Sequence, residues 1–234
     1  MGISLACLSK DKELAKETTA LLSFQNSGYL PMNIVFFTLT NPLRDKLLSY
    51  IFLYLLGFNI LMWSVGSFFI FKNRNDKLKL AGILTPPVTA IVLAVLIKYL
   101  FPEARIPRII FEPVKMIGQM SFVLSMIVLG GGLYRTARSK INSRFISRCI
   151  LISSAKLILL PVTVMIVIIK YKIFGAMGLF LILESSMPSA VSLPIVVEEK
   201  NRDYSFTSRI VFLSHLFSCV TIPFWINLFI KVSN

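Results

Sequence analysis

Acidic residues are scarce in this chain: 11 Asp and Glu stand among 234 residues against 25 Lys and Arg, with one histidine and three cysteines. Each shortage excludes a chemistry. A single histidine cannot build a His-Glu-x-x-His metal site, and no serine sits in a motif with a histidine base, so an intramembrane enzyme lacks its paired groups. Cys7, Cys149 and Cys219 lie far apart, fit no metal spacing or disulfide framework, and read as small apolar side chains. Charged residues of all kinds make up 15% of the chain, where globular domains carry about 25%. In their place stands apolar residue: 56% of the sequence, with a mean hydropathy of +0.76. A soluble domain, a disordered chain and collagen are all excluded. The net charge of +14 would suit nucleic acid, but the basic residues sit in short clusters between long uncharged stretches. That is the arrangement of membrane loops, and no nucleic-acid partner is needed.

A hydrocarbon core about 30 Å thick takes roughly 20 apolar residues in helix, because unpaired backbone groups there cost several kcal/mol each. Seven stretches qualify: 18–40, 47–71, 80–101, 113–134, 146–169, 173–197 and 207–230. Ahead of them Ile3 to Leu8 is apolar but too short to cross, and it lacks the basic flank and cleavage site of a signal peptide. Alternate loops fall on opposite sides, one collecting 15 Lys and Arg and the other nine. The richer side is expected to be cytoplasmic, which puts the loop 72–79 inside and the C-terminus outside.

Two spans carry helix breakers near their centres. The first reads Ser23-Phe-Gln-Asn-Ser-Gly-Tyr-Leu-Pro-Met-Asn33, and the sixth Leu183-Glu-Ser-Ser-Met-Pro-Ser-Ala-Val-Ser-Leu-Pro194. Proline removes a backbone donor and clashes one turn back, and glycine loosens the turn. Both spans are expected to unwind at mid-depth. Such paired interruptions point to a secondary-transporter site near the membrane midplane, since each break presents a partly positive helix start and free carbonyls. Each broken span is followed by one further span, so the two pairs match as the ends of two repeats. The second repeat then holds five spans over 80–234, an odd number that inverts it relative to the first. The first retains only 1–71, with a stub, the broken span 18–40 and the span 47–71. On this count three spans, about 80 residues, are missing at the N-terminus.

Taken in order, the motifs resemble those of the auxin efflux carrier family, of bacterial type. The resemblance rests on Asn26-Ser-Gly-Tyr-Leu-Pro31, Phe58-Asn-Ile60, Trp63-Ser-Val-Gly66 and Leu84-Thr-Pro-Pro87. Gly130-Gly-Gly-Leu133 ending the fourth span, Leu160-Pro161, Met187-Pro-Ser-Ala190 and Thr221-Ile-Pro223 continue it. It implies an all-α polytopic membrane fold of two inverted five-helix repeats with two broken crossing helices, here N-terminally truncated by three helices. It also implies a plasma-membrane permease for small organic anions such as carboxylates or auxin-like acids. A proton or sodium is the coupling ion, no soluble cofactor is involved, and a homodimer is left open. An inactive fragment or a non-transporting receptor of the same fold is the alternative. Glu184-Ser-Ser-Met187 is similar to the acid-containing stretch of bile-acid sodium symporters, distant relatives that bind sodium there.

The candidate residues follow from depth and chemistry. Glu184 is the only acid inside an expected span, where a carboxylate is costly and by default functional, and it is assigned to the coupling ion together with Asn26. Asn26 both donates and accepts, and Ser27, Ser185, Ser186, Ser189 and Ser192 offer hydroxyls to an anion or bond their own backbone. Gly28, Pro31, Pro188 and Pro194 shape the crossing. Lys156, deep in the fifth span, either pairs with Glu184, attracts an anion or reaches the interface. His215 reads as a packed histidine. Gly130 to Gly132 serve close packing at a helix end, and Phe36, Phe37, Phe68, Phe69 and Phe71 face lipid or pack.

Overall fold

A computed structural model describes residues 12–62, 86–101, 107–137, 143–199 and 204–233. All regular elements among them are helices: α1 (Lys12–Ser23), α2 (Tyr29–Thr38), α3 (Leu43–Ile60), α4 (Pro86–Leu100), α5 (Arg108–Ala137), α6 (Ser143–Ser154), α7 (Leu160–Tyr171), α8 (Gly175–Ser185), α9 (Leu193–Glu199) and α10 (Ser205–Ser233). Two runs, Ser147–Tyr171 and Ser205–Ser233, are long and apolar enough to cross a bilayer. By contrast α2 and α8, apolar but 10 and 11 residues long, reach only about 15 Å, half of a hydrocarbon core. Both broken spans are therefore pairs of half-length helices: α1 and α2 part at Phe24–Gly28, α8 and α9 at Ser186–Ser192.

Proline placement explains where each break falls. Pro31 is the third residue of α2 and Pro194 the second of α9, positions whose N–H has no intrahelical partner. These prolines start the second half-helices; the opening itself lies just before them. In the fifth span Pro161 cannot donate to the Leu157 carbonyl four residues back. There the coil widens into a π-turn, Ala155–Leu159, between α6 and α7. The Leu157 carbonyl is taken instead by Trp225 Nε1 of α10 at 2.8 Å.

α10 is the hub, packed against α1, α5, α6, α8, α9 and the π-turn, while α8 also packs on α3 and α7, and α2 on α3 and α5. Leu21, Phe24, Val197, Ile210 and Val211 form one buried cluster, and Val35, Leu47, Ile51, Leu183 and Met187 a second on the other side of the breaks. The outer faces of α4 and α5 are apolar and open: Leu93, Ile97, Ile109, Ile117 and Ile127 are all exposed. Such faces suit hydrocarbon and not water.

Two expectations need correction, and others fall on positions that are not described. α1 runs from Lys12, six residues before the expected 18, and its second turn turns a polar residue toward the bundle. Glu17 is consequently a second buried acid, accepting from Thr207 Oγ1 at 2.7 Å. Gly130 to Gly132 lie inside α5, which runs on to Ala137, so they end no helix. Trp63 to Gly66, Phe68, Phe69, Phe71, the basic loop 72–79, Leu84 and Thr85 lie outside the described residues.

Trp225→Phe keeps an aromatic side chain and removes the indole N–H that the buried Leu157 carbonyl accepts from. The expected cost is about 1–3 kcal/mol, read as a lowered Tm of the detergent-purified protein; an unchanged Tm would show that the π-turn needs no outside donor.

Candidate functional site

Backbone groups freed by a helix break must find partners inside the protein when water is excluded. Here the two breaks satisfy each other. Gln25 and Ser189 form an antiparallel bridge, with Asn26 N donating to the Pro188 carbonyl at 2.8 Å and Ala190 N to the Phe24 carbonyl at 3.1 Å. Ser189 Oγ donates to the Leu21 carbonyl at 2.8 Å, and Ser189 N reaches Ser214 Oγ on α10 at 3.4 Å. The two opened segments cross in contact, bound through four residues of backbone.

Side chains around the bridge form two polar groups. Gln25 Nε2 donates to Glu184 Oε2 and to the Tyr54 hydroxyl, each at 3.2 Å. Glu184 is 4% exposed, and its Oε1 has no partner; nor has Ser27 Oγ, which lies beside both Glu184 and Tyr54. On the other side His215 Nδ1 is 2.8 Å from the Val211 carbonyl, and its Nε2 is 3.0 Å from Asn26 Nδ2. A carbonyl only accepts, so Nδ1 carries the proton, Nε2 presents a lone pair, and the Asn26 amide donates to it. His215 is buried, as a packed histidine is, and is also the fixed partner of Asn26.

Beside the crossing lies a cavity of about 330 Å³, lined by Gln25, Asn26, Ser27, Gly28, Tyr29, Phe58, Asn59 and Ser192 with the apolar side chains of Met32, Leu55, Met62 and Val191. Among the described residues no carboxylate and no lysine or arginine lines it. The N-terminus of α2 opens there, with Gly28 as its cap and no side-chain hydrogen bond to its first amides.

The sequence candidates separate into three sets. Asn26, Ser27, Gly28 and Ser192 line the cavity. Pro188 and Ser189 build the bridge, Pro31 starts α2, and Ser185 and Ser186 bond the carbonyls of Ile182 and Leu183 at 3.0 and 2.8 Å, as serines in membrane helices do. Neither Glu184 nor Lys156 is among the described residues that line the cavity, and no ion pair joins them. The amide that reaches Glu184 is Gln25 and not Asn26, which is committed to His215. Lys156 neither reaches an interface nor pairs with Glu184 among the described residues; its Nζ donates to the Leu22 carbonyl at 2.9 Å. Sequence reasoning missed Gln25, Tyr54 and Asn59. Asn59 had a signal, an amide within an apolar run, and Gln25 had its place beside Asn26; Tyr54 is one aromatic among many. No group of three or more His, Cys, Asp or Glu among the described residues is placed to hold a metal.

The profile of the family described as "Membrane transport protein" matches residues 73–226. No curated protein matches the chain.

Ser189→Ala leaves the Leu21 carbonyl buried without its donor, and the expected cost is about 1–3 kcal/mol, read as a lowered Tm. Gly28→Ala is expected to move Tm by no more than about 2 °C. Its φ is −102°, and an added Cβ meets only the Leu55 and Met32 side chains, the nearest atom at 3.6 Å.

Proposed function

From the premise that the chain belongs to the membrane transport protein family, we propose that this membrane transporter is a secondary permease for small organic anions bearing a carboxylate, its site the cavity beside the crossing. One observation carries the reading: the uncapped start of a half-length helix opens on a cavity whose polar lining, among the described residues, is amide and hydroxyl. Pro31 carries no N–H and Met32 N donates to the Gly28 carbonyl at 3.3 Å, so the amides that α2 offers at its start are those of Tyr29 and Leu30, and the helix start carries roughly half a positive charge. A carboxylate accepts from such amides as phosphate does at other helix starts. Asn59 and Asn26, with Ser27, stand ready to orient it, and Phe58, Leu55 and Met62 to take the apolar part of the molecule.

Glu184 handles the coupling ion, a proton or sodium. Its free Oε1 and the Ser27 hydroxyl provide hard oxygen for either, and Gln25 links this pair to the bridge through one residue, its side chain on Glu184 and its backbone on Ser189. The remaining helices of two inverted repeats rock about the crossing to expose the cavity to each side in turn. In this reading the protein is multi-pass in the plasma membrane with its C-terminus outside, and no soluble cofactor takes part.

The test is uptake of labelled small carboxylates, indole-3-acetate among them, into vesicles holding the reconstituted protein, with proton and sodium gradients applied in turn. Asn59→Ala is expected to lower saturable uptake about tenfold, the loss of one hydrogen bond to a charged group. Glu184→Gln is expected to abolish gradient-driven accumulation while sparing exchange of substrate across the bilayer. Absence of saturable carboxylate flux, or flux untouched in both variants, would overturn the proposal.

A further inference from the structure

The two broken spans close their carbonyl ends by different means. At the end of α8 the same segment supplies the donors: Ser185 Oγ on Ile182, Ser186 Oγ on Leu183 and Met187 N on Glu184. At the end of α1 the donors come from elsewhere in the chain. Phe24 N takes the Ala20 carbonyl at 2.8 Å, but Leu21 is served by Ser189 Oγ and Leu22 by Lys156 Nζ. Lys156 is 2% exposed, among the largest fully buried side chains of the protein, and it is carried by the π-turn Ala155–Leu159. No ion pair joins it to an acid among the described residues.

The carbonyl end of a helix carries roughly half a negative charge, and in broken-helix transporters such ends coordinate the coupling cation. At α1 a lysine of this same chain stands in that position. We propose that Lys156 is the resident cation of the crossing: a positioning residue that holds the carbonyl end of α1, so that the crossing forms without an ion from solution at that end. Its removal opens a site there for a small ammonium ion. The consequence for coupling, that only the oxygens around Glu184 are left to take a cation, rests on the transporter reading. The inference itself concerns how the crossing is held, and its test contains no substrate, so either can fail while the other stands.

The experiment compares thermal melts of the full chain in detergent, in choline chloride and in ethylammonium chloride at equal ionic strength, for the wild type, Lys156→Ala and Lys156→Gln. The wild type is expected to melt alike in both salts. Lys156→Ala, which leaves space and an unpaired carbonyl, is expected to melt about 5 °C lower in choline and to regain at least half of that in ethylammonium. Lys156→Gln retains an N–H donor without the charge, and is expected to fold in choline and to gain from ethylammonium where the wild type does not. The proposal is overturned if neither variant gains more from ethylammonium than the wild type does. A variant that folds in neither salt counts against it as well, and one that folds in ethylammonium alone supports it.

Discussion

The structure depends on one constraint: peptide groups that leave a helix away from water must be paired by peptide groups or side chains close by. Neither opened segment can meet this alone. Phe24–Gly28 lacks a partner for the Asn26 amide until Pro188 arrives, and Ala190 lacks one until Phe24 does. The bridge between Gln25 and Ser189 is therefore a condition for either break to persist. It binds residues 164 positions apart, which makes the first described helices and the last ones a single cooperative body. α10 completes the arrangement by touching both, through His215 on Asn26 and Ser214 on Ser189.

What sequence could tell follows from what sequence encodes. Proline, glycine and clustered small polar residues in an apolar run signal lost helical hydrogen bonds, so the two breaks were legible, as was the all-helical build. Pairing across the molecule was not. That Gln25 and not its neighbour Asn26 takes Glu184 is set by the path of the bridge, which turns adjacent side chains to opposite sides. The role of His215 depends on a contact 189 residues distant, and no periodicity announces it. Glu17 was lost to a boundary placed by hydropathy alone. A helix whose polar face is buried against Thr207 looks, on such a scale, like a loop.

The polar groups divide the labour around the crossing by chemistry. The described lining of the cavity is amide and hydroxyl among apolar side chains, while Glu184 and Lys156 are both tied to the first broken span, one by the Gln25 side chain and the other through the Leu22 carbonyl.

The π-turn at Ala155–Leu159 has a geometric effect beyond the lysine it carries. One residue more than an α-turn holds rotates everything after it by about 100°. α6 and α7 are thus a single rod with two fronts out of phase: α6 leans on α10, and α7 on α8. Shortening the rod by one residue at this point would swing both fronts to the same neighbour and strip the other of its wall, so the length of these five residues, more than their identity, keeps the bundle closed on two sides.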